Sequence, residues 1–260
     1  MYNIVQSVRV RGVAGNPIPT VFKNLEAIGV QLLRGQEILM ASGPGVGKSA
    51  IALTLGTGSR ASCLYFSADS DAFVQSSRAV AMLTGRTMGE ATRIVKTGLS
   101  VEDTATLSGY PIRFRYNASP TLDDIETSMA AYEEVYGDYP ELVIVDNLLD
   151  VMTSGTEENQ FAGQQDILAF LNTLARETSA CVVVLHHVTG GFNDADKPIP
   201  LSGVKGQLTQ IPAVVLTIHR GGPDSIRVSN VKNRGGRADA SGFTFAELRF
   251  NGDRMLIEDY

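Results

Sequence analysis

The residues with the strongest chemical signature are Ser42-Gly43-Pro44-Gly45-Val46-Gly47-Lys48-Ser49. An apolar run precedes them and a helical pattern follows, so a strand feeds a glycine-rich turn that opens a helix. Glycines let successive backbone N–H groups converge on phosphate oxygens, and the helix N-terminus adds a favourable dipole. In that frame Gly43, Pro44, Gly45, Val46 and Gly47 form the cradle. Lys48 reaches the β- and γ-phosphates, and the Ser49 hydroxyl ligates Mg²⁺. The strict pattern has Gly where this chain has Ser42; serine is small, and relaxed forms accept Ala there. The bland alternative is a glycine turn that happens to precede Lys-Ser. A second piece is Leu142-Val143-Ile144-Val145-Asp146, a hydrophobic strand ending in a carboxylate suited to hold magnesium directly or through water. The alternative for Asp146 is a cap on a strand-end turn. Asn147 follows it, so a catalytic base must come from elsewhere. Tyr65-Phe66-Ser67-Ala68-Asp69-Ser70-Asp71 offers one: Asp69, at the end of another strand, can orient a water across the γ-phosphate. A turn role for Asp69 and a helix cap for Asp71 remain open. The ligands these residues call for are ATP and Mg²⁺.

These groups need a scaffold that brings strand ends together, and the pattern of the chain supplies one. Short apolar runs at 36–42, 63–66, 112–116, 142–145 and 181–185 alternate with helical patterns at 48–55, 72–84, 122–135 and 167–178. That alternation predicts βαβ units and a mostly parallel central sheet flanked by helices, an α/β fold. After residue 210 the pattern changes to successive runs at 214–219, 225–232, 243–250 and 254–258, read as a C-terminal antiparallel extension. Gly221-Gly222 and Asn251-Gly252 are the expected turns. Thr189–Ser202 is a polar loop long enough to suspect a function. The expected organisation is an N-terminal extension over 1–20 and one ATPase domain over 21–260.

Composition narrows the classes. With 260 residues, 43% hydrophobic and 19% charged, the chain has neither the composition of disorder nor a membrane-spanning run. Residues 1–12 lack an apolar signal core, so a cytoplasmic protein with no membrane partner is expected. Cys63 and Cys181 are too few for a disulfide framework or a four-ligand zinc site. The formal net charge of −6 argues against nucleic-acid binding over the whole surface. The charge is uneven, however: residues 101–166 hold 14 acidic and 2 basic side chains, while 201–260 hold 8 basic and 6 acidic. The acidic block reads as a solvated helical face.

Together these residues resemble the RecA-like ATPases of the DnaB helicase, RadA and RepA type, over about residues 20–260. The likeness is carried by Leu33-Arg34-Gly35-Gln36 ahead of the glycine turn, Cys63–Asp69, Pro140–Met152 and Leu174–Val188. In that family the strand matching Cys63–Asp69 ends in a catalytic Glu, where this chain has Asp69 with its shorter arm. The resemblance implies that His186 is the polar sensor at the end of its strand, with His187 a neighbour or a core histidine. Val231-Lys232-Asn233-Arg234-Gly235-Gly236, with 243–250 after it, is similar to the family's Lys-x-Arg, a pair that reaches a neighbouring subunit's ATP site. Lys232 and Arg234 are thereby implied as a trans finger, and the protein as a homo-oligomer, a hexameric ring. Over 198–210 only Pro200, Leu201, Ser202 and Lys205 echo the family. Loops of this region track single-stranded DNA there, which makes Lys197 and Lys205 the DNA-binding candidates, against ordinary surface lysines. The resemblance covers a bare motor core, as expected of a phage or plasmid protein.

Three functions follow as expectations. The first is an ATP-dependent DNA-processing motor, a DnaB-like helicase core acting as a ring on single-stranded or forked DNA. The second is a Mg-dependent, structure-specific DNA nuclease, with Asp69, Asp71, Asp146 and Asp150 gathering metal. The third is a nucleotide-switched loading or recombination factor, favoured by the short arm of Asp69.

Overall fold

A strand whose residues are nearly all apolar or small has no solvent face to offer, and β1 (Glu37–Ser42) is buried along its whole length, its opening Glu37 included. The same holds for β2 (Cys63–Ser67) and β4 (Leu142–Asp146), and for β5 (Cys181–His187) up to its last residue. The computed structural model describes residues 1–152 and 160–260. With β3 (Ile112–Arg115), β6 (Val214–Gly222), β7 (Ser225–Asn233), β8 (Phe245–Asn251) and β9 (Leu256–Asp259), these strands form one sheet in the order β3-β2-β4-β5-β1-β6-β7-β8-β9. The pairs from β3 through to β6 are parallel, and β6 to β9 form an antiparallel meander. The expected mostly parallel α/β sheet with an antiparallel C-terminal extension is what the chain builds.

Helices cover both faces. Alternate residues of each strand feed opposite cores: Ile38 and Met40 join Ile51 and Leu55 of α3 (Lys48–Gly58), while Leu39 and Ala41 join α7 (Leu122–Tyr136) and α8 (Gln160–Thr178) through Ile125, Met129, Leu168 and Leu171. Truncating one such fully buried side chain to Ala costs about 2–5 kcal/mol. A smaller cluster ties α4 (Ala72–Thr84) to α5 (Met88–Thr97) and α6 (Val101–Ser108) through Val80, Ala81, Ala91 and Leu107.

Helix ends follow local chemistry. Asp71 caps α4 by accepting from the Val74 amide at 2.8 Å, and Gly85 in the left-handed region ends it. Thr121 and Asp124 form a capping box at the start of α7. At the N-terminus, α1 (Ile4–Val10) has no buried residue, yet Gly15 to Ile18 are hydrogen-bonded to 32–34 and Ile18 is in the core. The free part of the expected 20-residue extension is therefore the α1 segment. α2 (Lys23–Ala27) is held at its start by the Asp259 carboxylate of β9. Among the described residues no helix is long and apolar enough to cross a membrane.

The β6–β7 turn falls at Pro223-Asp224, not at the expected Gly221-Gly222, which lie within β6. A Cβ on Gly221 would collide with Ser225 Oγ and would lie 2.6 Å from a Glu247 carboxylate oxygen. The glycine there admits cross-strand side chains instead of turning the chain.

Candidate active site

All five parallel strands from β1 to β5 end on one side of the sheet, where ligands of open α/β folds bind. The glycine turn leaves β1 there. Gly45 (φ +70°) and Gly47 (φ +117°) take left-handed backbone conformations that any side chain would strain. Gly43 is needed for a different reason: a Cβ on it would run into the Asn193 carbonyl, which packs directly over the turn. α3 begins at Lys48, so its free N–H groups face the turn.

Lys48 and Asp146 are both nearly enclosed, at 9% and 2% exposure. Burial pushes the Lys48 ammonium pKa down, against the opposing pull of the Asp146 and Asp69 charges. Burial pushes the Asp146 carboxyl up, offset by hydrogen bonds from Tyr65 and Ser49. The Tyr65 hydroxyl donates to Asp146 Oδ2 at 2.7 Å from the core of the neighbouring strand. The hydroxyl of Ser49 and the carboxylate of Asp146 are thus two neighbouring hard oxygen ligands, a set that suits Mg²⁺. The β2–α4 connection is pinned beside them, because the amides of Ala68 and Asp69 both donate to the Asp146 carbonyl, at 2.8 and 3.1 Å. Asp69 consequently faces Lys48 across a cleft of about 290 Å³.

Three residues in that cleft were not expected. Arg78 enters from α4 and is steadied by the Ser70 hydroxyl at 3.2 Å, while Phe250 and Met255 close the side formed by the β8–β9 hairpin. They lie outside any motif. Arg78 shares its helix with the Asp71 cap, but nothing in the spacing marks the hairpin as a cleft wall. A larger cavity of about 640 Å³ lies between α4, α6 and β3. Leu83, Leu107 and Phe114 line it, and none of the motif residues does, so the chemistry belongs to the smaller cleft.

The two histidines at the end of β5 separate by strand parity. β5 runs between β1 and β4, so its end lies between the two motif strands. His187 lines the cleft, and burial followed by the Lys48 charge lowers its pKa. His186, the expected sensor, is fully buried on the other side, with Nε2 3.0 Å from the Lys205 carbonyl. A carbonyl only accepts, so Nε2 carries the proton, and burial holds the ring neutral with a pKa of about 4.

Lys232 and Arg234 stand at the opposite end of the sheet. Lys232 pairs with Val215, which pairs with Leu39, and the Arg234 amide donates to the carbonyl of Ala213, whose own amide donates to Glu37. Arg234 is therefore level with the start of β1, roughly 16 Å along the strand from the glycine turn at about 3.3 Å per residue. Lys197 and Lys205 are exposed on the connection between β5 and β6. The Lys197 ammonium lies 5.3 Å from the Phe192 ring centre, and Lys205 opens a short turn after the Val188–Val204 bridge. The four carboxylates expected for a nuclease do not assemble. Asp71 is engaged as the α4 cap, and among the described residues no three His, Cys, Asp or Glu side chains form a metal-binding group.

Fold and family agree on the class. The chain belongs to the AAA domain family, matched over residues 7–190. Its fold superposes with a TM-score of 0.80 on a DnaB-like replicative helicase solved for its interactions with primase, covering 99% of this chain and 65% of that one at 16% identity. It superposes equally on a second solved structure, an ATPase domain, with a TM-score of 0.80, 16% identity, and coverage of 99% and 96% of the two chains. The chain is thus a P-loop protein of the AAA domain family, and its fold is the one those two structures share. Relatives in sequence are phage proteins. The gene 65 protein of Mycobacterium phage L5 is 49% identical over 267 residues, covering 100% of this chain and 99% of that protein. The gene 65 protein of Mycobacterium phage D29 is 49% identical over 229 residues, covering 86% and 99%.

Proposed function

We propose that this protein is an ATP-hydrolysing DNA-processing motor, a helicase core that works as a hexameric ring on single-stranded or forked DNA. The observation that carries the reading is the separation of two half-sites on one chain. Lys48, Ser49, Asp69 and Asp146 gather at one end of the sheet, while Arg234 stands about 16 Å away along the strand direction, out of reach of its own cleft and free to serve another subunit's, which supports the ring.

In this mechanism the amides of 43–48 and the start of α3 hold the triphosphate, and Lys48 binds the β- and γ-oxygens. Ser49 and Asp146 would hold Mg²⁺, whose role is to neutralise phosphate charge. Asp69 orients the attacking water and takes its proton, a task worth about 10²–10⁴ in rate. His187 lies beside the γ-phosphate position and reports its presence along β5. Arg234 of a neighbouring copy stabilises the charge of the transition state, a contribution of about 10³–10⁵. Phe250 and Met255 offer the base an apolar wall. Lys197 and Lys205 meet the DNA backbone.

The test is ATP turnover with and without single-stranded DNA, alongside gel analysis of forked DNA with and without ATP. Lys48→Ala is expected to abolish turnover, and Asp69→Ala to lower kcat by about 10²–10⁴ with little change in KM. A folded oligomer that hydrolyses no ATP, alone or on DNA, sinks the motor. Cleavage of the fork by Mg²⁺ without ATP would point to the nuclease instead. The second reading, a nucleotide-switched loading factor, is favoured by Asp69 standing where a longer Glu is usual. Tight ATP binding with negligible single-turnover hydrolysis on DNA would select it.

A further inference from the structure

The resemblance pairs Lys232 with Arg234 as two groups reaching a neighbour's nucleotide, but their surroundings differ. An ammonium has three N–H donors and no more. The Lys232 ammonium has three acceptors on its own chain, the carbonyls of Thr209, Gln210 (2.9 Å) and Pro212 (2.8 Å). It cannot bind a phosphate oxygen without giving one of them up. Arg234 is exposed and carries five donors, of which Nη2 is engaged on the Gln210 carbonyl.

The gripped carbonyls close the connection between β5 and β6, the same connection that carries Lys205. That connection is held at several points. His186 of β5 donates to the Lys205 carbonyl at 3.0 Å. Upstream, the Leu201 amide donates to Ala240 at 2.9 Å, and Thr217 Oγ1 donates to the Ile199 carbonyl at 2.7 Å. The turn bearing Lys205 is thus suspended between β5, which carries His187 into this chain's cleft, and β7, which carries Arg234 to the far edge.

We infer that Lys232 is a positioning residue: it clamps the Thr209–Pro212 carbonyls and so fixes the turn bearing Lys205, leaving Arg234 alone to reach a neighbouring nucleotide. The task given to Arg234 rests on the ring reading above; the clamp is a property of a single chain. When Arg234 leaves the Gln210 carbonyl for a phosphate, Lys232 still holds that carbonyl and its two neighbours. The turn then keeps its place while the finger moves.

Amide hydrogen exchange over 205–213, read together with ATP turnover on and off single-stranded DNA, tests the clamp in the full-length protein. Lys232→Ala is expected to raise exchange across 205–213 by about tenfold or more, as the loss of charge-assisted hydrogen bonds allows. Exchange in β1 and β5 stays as it was, and the DNA stimulation of turnover falls by about as much. Lys232→Arg, which keeps donors for the same carbonyls, restores both readouts. Arg234→Ala instead lowers DNA-free turnover by about 10³ or more. The clamp is overturned if Lys232→Ala leaves exchange at 205–213 unchanged, or if it lowers DNA-free turnover as far as Arg234→Ala does. Should Lys232→Ala fail to fold, Lys232→Met, which keeps the length of the side chain and has no N–H donor, takes its place under the same criteria. If the wild-type protein hydrolyses no ATP, the ring motor fails, and the exchange measurement alone decides the clamp.

Discussion

Glu37 shows how burial sets a residue's chemistry. It opens β1 with no exposed surface, faced by the Asn172 amide of α8 and by the charges of Lys232 and Arg234. Burial pushes its carboxyl up to about 8 in spite of those three partners. The folded protein therefore keeps a proton that the unfolded chain releases near the ordinary carboxylate value. Stability falls as pH rises between that value and about 8, by about 1.4 kcal/mol per pH unit from this group, and the slope ends above it. Urea midpoints measured at pH 5.5 and 8 are expected to converge in Glu37→Gln; an unchanged difference would place the proton elsewhere. The same scale explains which site residues could be read from sequence. Lys48, Ser49 and Asp146 belong to runs whose local pattern is the chemistry. His186 and His187 are consecutive, and only strand parity decides which enters the cleft. A one-residue choice of that kind is invisible until the register of β5 against β1 is known, with Ser42 opposite His187.

At the scale of elements, the unit of strand, glycine turn and helix depends on what packs over it as much as on its own residues. Gly43→Ala is expected to weaken nucleotide binding and to cost about 1–3 kcal/mol, because its Cβ meets the Asn193 backbone carbonyl, which cannot swing aside as a side chain would. A thermal melt and a nucleotide titration check this; a variant that binds and melts like the wild type would show that the 190–195 segment is free to move. Strands were legible because doubly covered strands are continuous apolar runs. α5 and α6 were not, since each is short and buries little, Ala91 in one and Asp103 in the other. Their cues were caps rather than periodicity: the Thr87–Glu90 box and the Ser100 side chain at the start of α6. Gly221-Gly222 misled because a glycine pair marks a turn and a close side-chain approach equally well. Arg78, Phe250 and Met255 were beyond reach because α4 and the distant β8–β9 hairpin converge on the cleft without any shared pattern.

For the whole molecule, the net charge of −6 is a poor guide to its contacts. Asp123, Glu126, Glu133 and Glu134 lie exposed on α7, which covers one face of the sheet, whereas Lys197 and Lys205 stand on the connection beyond the end of β5. Local field, not total charge, decides where a polyanion settles. The proposed division of the site between chains makes a separate prediction. In the proposed ring, Lys48→Ala and Arg234→Ala each leave no complete cleft. Mixed in equal amounts, they are expected to recover turnover at about a quarter of the sites, since random assembly pairs an intact Lys48 with an intact neighbouring Arg234 that often. No recovery after subunit exchange would mean that Arg234 acts within its own chain.

The central place of β1 also governs when the protein becomes competent. Ile38 pairs with Val183 on one side and Val214 on the other, so the first strand to leave the ribosome waits for two of the later ones. At about 5–20 residues per second, roughly 10–35 s separate the emergence of β1 from that of β6. The meander from β6 to β9, by contrast, joins strands that are consecutive in the chain and closes quickly once made. Until then the glycine turn leaves a strand that has β5 on one side and nothing on the other. A prematurely terminated chain lacking β6 leaves one edge of β1 unpaired and is thus expected to hold the glycine turn, and any nucleotide on it, less firmly than the full chain.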